Sequence, residues 1–174
     1  QLQLSAKSRG RKISENIQTL SGRLSFGLTN GTIDTKQLKL GLFDLFDLEN
    51  PPKQKEKTEK DDGPTDFKTI SGDFIYIGGI AETENFIYET DQRKSAIVGK
   101  FDLNKVEMDT VVGVAHMPGL DKILNQIPVF GKILTAGDEG SLIKTYYDVK
   151  GSFEDPTVTL VPLTSLGKKF MGLF

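Results

Sequence analysis

At 174 residues, with 22 Lys and Arg against 24 Asp and Glu, the chain is long enough for one buried core and too near neutrality to suggest nucleic-acid binding. It has no cysteine and one histidine, which excludes a disulfide framework, a thiolate zinc site and a Cys–His dyad. No apolar run approaches the ~20 residues of a transmembrane helix, and the chain opens at Gln1 without a signal-peptide pattern, so a mature chain or a piece of a longer protein is expected.

In chain order, residues 1–6 alternate Leu2 and Leu4 with polar side chains and predict the end of a strand. Ser8, Arg9, Gly10, Arg11 and Lys12 form a basic turn, which fits either a solvated loop or a site for an anionic headgroup. Ser14 is the expected cap of a short helix in which Ile13, Ile17 and Leu20 share a side. Residues 23–29 read as a strand with Leu24, Phe26 and Leu28 on one face, closed by the turn signal Asn30-Gly31. A second helix is predicted over 36–48, striped by Leu38, Leu42, Leu45 and Phe46 and capped by Thr35. Pro51-Pro52 stops it. The stretch KQKEKTEKDDGPTD holds no hydrophobic side chain, so residues 49–66 are predicted to be a disordered charged loop.

Residues 70–114 organise the rest of the chain. They fall into runs rich in Ile, Val, Phe, Tyr and Thr, separated by Gly78-Gly79, by the charged turn Asp91-Gln92-Arg93-Lys94 and by Asn104. A spacing of roughly ten residues predicts an antiparallel meander. The two glycines permit positive φ at both positions of a tight hairpin, and Asn104 tolerates the left-handed region. Val106, Met108, Val112 and Val114 are expected on one face, with Lys105, Glu107 and Asp109 on the other. Phe74 and Tyr76 point one way and Ile75 and Ile77 the other, so both faces of that strand are expected to be covered.

Beyond the meander, Leu120, Ile123, Leu124 and Ile127 begin amphipathic helical segments spanning 119–134. Residues 142–153 read as a strand with Ile143, Thr145, Tyr147 and Val149 on one face. Glu154-Asp155-Pro156 is a turn and 158–161 a last strand. Pro162 then opens an apolar helix over 163–174, with Leu163, Leu166, Phe170 and Leu173 on one side. That side either caps an end of the sheet or meets a membrane surface.

Catalysis has little support. His116, the lone histidine, precedes Met117 and Pro118 at a strand end, and no serine lies in a G-x-S-x-G elbow. The carboxylate pairs Asp61-Asp62 and Glu154-Asp155 fall in loops or turns, and the glycines form no phosphate-binding loop. No catalytic residue, metal or cofactor is expected, and function is expected to reside in a surface or groove.

Four segments carry a resemblance. They are SRGRKISENIQTLSGRLSFGLTNGTI (8–33), TDFKTISGDFIYIGGIAETENF (65–86), AIVGKFDLNKVEMDTVVGV (96–114) and residues 127–166, with Tyr-x-Val-x-Gly-Ser-x-x-Asp-Pro inside the last. In order and together they resemble the C-terminal periplasmic domain of AsmA-like proteins, members of the bridge-like lipid transport superfamily of Gram-negative bacteria. The charged stretch 53–62 departs from the pattern. The resemblance implies a single domain over 1–174, mainly β with a few short helices. Its expected form is a curled antiparallel sheet with an apolar concave face and covering amphipathic helices. It also implies a periplasmic location, with an upstream segment as anchor in the inner membrane. The implied role is non-enzymatic, a groove for phospholipid acyl chains passing between inner and outer membranes. Groove candidates are Leu24, Phe26, Leu28, Phe74, Tyr76, Val106, Met108, Val112 and Val114. The same residues are equally expected if they simply pack on the helices at 36–48 and 119–134. The alternative function is a structural module that binds a protein partner in outer-membrane biogenesis through a sheet edge.

Overall fold

The structure, a computed structural model, describes residues 1–33, 64–116 and 145–165. An eight-stranded antiparallel sheet runs in chain order: β1 (Leu2–Lys7), β2 (Ser21–Ile33), β3 (Thr65–Ile77), β4 (Ile80–Glu89), β5 (Arg93–Asp102), β6 (Glu107–His116), β7 (Thr145–Ser152) and β8 (Thr157–Leu160). Each strand pairs only with its sequence neighbours, so the meander is open, with β1 and β8 as edges. Helix α1 (Ile13–Gln18) lies in the β1–β2 connection, and a 3-10 turn (Leu163–Ser165) follows β8. The expected helices at 36–48 and 119–134, and the expected loop up to residue 63, lie outside the described residues. The other end of that loop is corrected: Thr65 and Asp66 already belong to β3.

Register assigns the faces. Leu4, Leu24 and Phe74 are successive cross-strand partners, as are Ile70, Tyr88, Ser95 and Val114. Ile97, Val112 and Tyr147 form another such row. This face carries the buried apolar cluster, which includes Ile97, Phe101, Met108, Val112, Val114 and Val149. Period-two alternation puts every second side chain there, and burying each large one contributes roughly 1.5–3 kcal/mol. In the middle of the sheet the opposite face is also buried, at Ala96, Val98, Val111, Ala115 and Tyr146. Strand β4 holds one residue more than its partners between Thr83 and Phe86, a bulge that keeps both Thr83 and Phe86 on the clustered face.

Several local expectations are corrected. Lys12, not Ser14, occupies the N-cap of α1 and makes no side-chain cap bond. Instead Glu15 Oε2 accepts the Arg11 backbone N–H at 2.7 Å. Ile13 is not packed with Ile17 and Leu20 but exposed. Asn30-Gly31 makes no turn: β2 runs straight through it, with Asn30 at φ +54°. The Phe67 ring lies over Gly31, where a Cβ would stand 2.6 Å from its Cζ. In the β5–β6 connection the left-handed residue is Val106, at φ +59°, not Asn104. Asn104 serves that turn differently, donating from Nδ2 to the Gly78 carbonyl at 3.0 Å and so tying it to the β3–β4 turn. The Gly78-Gly79 hairpin has positive φ at both positions, +61° and +82°. The β4–β5 connection is Thr90, Asp91 and Gln92, and the expected turn residues Arg93 and Lys94 belong to β5. Ile75 and Ile77 are exposed, so no described residue covers that face of β3 at these two positions. The last strand ends at Leu160.

Candidate functional site

The clustered face is not uniform. On β1 and β2, Leu2, Leu4 and Leu28 are 72 %, 64 % and 50 % exposed. Leu24, Phe26, Phe74 and Tyr76 are partly buried beside them. On β6, Met108, Val112 and Val114 are buried almost completely, at 4 %, 0 % and 1 %. The sheet therefore brings eight of the nine groove candidates onto one face but divides them. Those of β2 and β3 border solvent, while those of β6 are packed core. Val106 is corrected: it sits in the β5–β6 turn, off the face, and is half exposed.

An aromatic row crosses this face. Phe26 stacks on Phe74 at 6.2 Å between ring centroids. Phe74 also meets Phe86 at 5.9 Å and Phe101 at 6.1 Å, and Phe101 meets Phe153 at 6.2 Å. Phe74 and Phe101 stand on β3 and β5, two strands and so roughly 9.6 Å apart at the backbone. Their side chains lean toward each other above the strand between them. Burial among these neighbours pushes the Tyr76 phenol above the ordinary tyrosine range.

Phe86, Phe101 and Phe153, and the exposed Leu2 and Leu4, are not among the groove candidates read from the sequence. Alternation alone places Phe101 with Met108. Phe86 needed the bulge, which shifts its parity and has no clear mark in the sequence.

No family model, curated protein or solved structure matches the chain. The face itself therefore carries the functional reading. Among the described residues, no group of three or more His, Asp or Glu is placed to hold a metal, and no helix is long and apolar enough to cross a membrane. His116 closes β6, where its backbone is the register partner of Arg93. Leu163 opens the 3-10 turn after β8, and Leu166, Phe170 and Leu173 lie outside the described residues.

The reverse face of β1–β3 mixes polar side chains with the exposed Ile75 and Ile77. Gln3, Ser5, Arg23, Ser25, Asp73 and Ile75, together with Leu24 and Phe74, line a depression there. At the far end of β2 and β3, Thr32 Oγ1 donates to Asp66 at 2.7 Å and Lys68 pairs with Asp91 at 3.0 Å. Neither group has the geometry of a nucleophile with a base.

Proposed function

We propose that the chain is a non-enzymatic, AsmA-like periplasmic module whose apolar sheet face shelters phospholipid acyl chains passing between inner and outer membranes. One observation carries this reading: Leu2, Leu4 and Leu28 remain exposed on one face of β1 and β2, beside the partly buried Leu24, Phe26, Phe74 and Tyr76. Leu2 stands opposite Phe26, and Leu4 opposite Leu24 and then Phe74. An acyl chain needs a continuous dry strip rather than a closed pocket with polar anchors. Covering this strip with hydrocarbon removes apolar surface from water at roughly 25 cal/mol per Å². The packed β6 residues then form the floor that holds the strip in shape. A concave curl of the sheet, with short amphipathic helices over it, belongs to the same proposal. The resemblance of residues 8–33, 65–86 and 96–114 to AsmA-like segments points the same way, including toward an upstream inner-membrane anchor.

Native mass spectrometry of gently purified protein is expected to show bound phospholipid. Leu4→Glu with Leu28→Glu is expected to remove it without unfolding the sheet. A clean apo mass from the wild-type protein rejects the proposal.

The β1 edge supports a second reading, a structural module that takes a partner's strand during outer-membrane assembly. All six β1 residues are exposed, and among the described residues the strand has a neighbour on one side only. Such an edge offers free backbone donors and acceptors to an added strand. Capture of one stoichiometric protein without lipid favours this reading over the first.

A further inference from the structure

The charges of this chain are segregated. Residues 1–33 carry Lys7, Arg9, Arg11, Lys12 and Arg23 against Glu15 alone, although the whole chain has a net charge of -2. All five basic side chains are exposed, and none is paired with an acid among the described residues. Glu15 is already occupied by the Arg11 N–H.

The fold gathers these charges at one end of the sheet. Lys7, Ser21 and Ile77 are successive register partners, and Ser5, Arg23 and Ile75 form the next row. Lys7, Arg23, Ile75 and Ile77 therefore share one face beside the hairpin ends. The 8–12 loop leads from there into α1. It is fixed rather than loose: Thr19 Oγ1 accepts the Arg9 N–H at 2.8 Å and donates to the Arg9 carbonyl at 2.7 Å. Helix α1 lies against the β3–β4 turn, where a Cβ on Gly78 would stand 3.9 Å from the Gln18 carbonyl. Two large hydrophobics flank the basic loop, Ile13 at 80 % and Ile77 at 67 % exposed.

We infer that this end of the sheet docks on an anionic phospholipid bilayer. Arg9, Arg11 and Lys12 meet the headgroups, and Ile13 and Ile77 enter the boundary between headgroups and acyl chains. Basic charge alone fits any acidic partner. The exposed isoleucines beside it decide for a bilayer, which offers negative charge and hydrocarbon within one thin layer. This surface is separate from the apolar strip on the other face of β1–β3, so either can fail while the other stands.

The test is co-sedimentation of the full chain with vesicles of phosphatidylcholine alone, or with roughly a third phosphatidylglycerol, a strongly anionic surface. Binding is expected only to the anionic vesicles and should weaken at about 1 M salt, where the screening length is ~3 Å. Arg9→Glu with Arg11→Glu and Lys12→Glu should lower partitioning by about a hundredfold or more. Ile13→Ser with Ile77→Ser should lower it by roughly tenfold. Both variants should keep the wild-type unfolding midpoint, because the altered side chains are exposed. Ile13→Trp introduces the chain's only tryptophan, whose emission should shift to the blue on anionic vesicles. The inference is overturned if the wild type ignores anionic vesicles or if the charge-reversed variant binds equally well. Full binding by the double-serine variant, or an unshifted tryptophan in the bound state, also overturns it.

Discussion

Lys94 Nζ lies 2.9 Å from Glu89 Oε2 across the β4–β5 hairpin, with only 11 % and 6 % of the two side chains exposed. The two residues are direct register partners, and the Thr90 N–H donates to the Arg93 carbonyl at 2.8 Å to close the turn between them. A charge this buried depends on its partner, because desolvation of a lone ion is not offset.

Removing one member of the pair is therefore expected to cost more than removing both. Lys94→Met or Glu89→Leu alone should destabilise by about 3–5 kcal/mol, whereas the double replacement should return close to wild type or above it. Urea unfolding of the four proteins in a double-mutant cycle reads the difference. Additive losses would mean that the two charges are not coupled.

A second pair stands at the β4 bulge. The Asp73 N–H donates to Asn85 Oδ1 at 2.8 Å, and Asn85 Nδ2 returns a bond to Asp73 Oδ2 at 2.5 Å. Here the β3–β4 register shifts between Ser71 and Ile75, and the Asn85 side chain takes the place of a ladder partner. Hydrogen bonds from Ser25 and then Asn85 hold the Asp73 carboxyl below its ordinary value, with desolvation opposing in part. A depressed folded-state value stabilises above the unfolded value of ~3.9 and is lost as pH falls through the folded one. Asp73 is exposed, so the contribution is expected to stay below about 1 kcal/mol. Asp73→Asn should be slightly less stable than wild type at pH 7 and should converge with it below about pH 4. A stability gap unchanged across that range would remove the carboxylate from the account.

Gly99 sits too close to the neighbouring strand to accept a side chain. It has φ +146° on β5, and a Cβ there would stand 2.3 Å from the Asp109 carbonyl oxygen. The obstacle is backbone of β6 and cannot swing aside. Gly99→Ala is expected to cost about 2–4 kcal/mol, from left-handed strain plus forced separation of two central strands. A shift of the denaturant midpoint equivalent to less than 1 kcal/mol would show that the strands part easily.

The meander was legible because its signals are local. Alternation in residues 70–114 and the Gly78-Gly79 pair fix strands and a hairpin without reference to distant residues. Asn30-Gly31 misled because the same dipeptide can lie inside a strand when an aromatic ring, here Phe67, covers the glycine. Burial was less legible. Leu28 and Val112 read alike in a hydrophobic pattern, yet one is 50 % exposed and the other 0 %. The difference is set by distance from the β1 edge, a property of the whole sheet. Arg93 and Lys94 read as part of a charged turn because the pairing of Lys94 with Glu89 depends on hairpin register.

That gradient gives the last prediction. If the β6 residues are floor and the β1–β3 residues are contact surface, stability and lipid binding should separate. Val112→Ala deletes packed methyl groups at a site with no solvent access and should cost roughly 1.5–3 kcal/mol, leaving a cavity between Ile97 and Tyr147. Leu28→Ala removes a side chain that already meets water and should cost under about 1 kcal/mol. For bound lipid the order should reverse. Leu28→Ala and Leu4→Ala should reduce phospholipid recovered with the folded protein, and Val112→Ala should not. Parallel thermal unfolding and lipid extraction on the three variants decide the matter. If lipid recovery instead tracks stability across the series, hydrocarbon sits in the β5–β7 core and not on the β1–β3 strip.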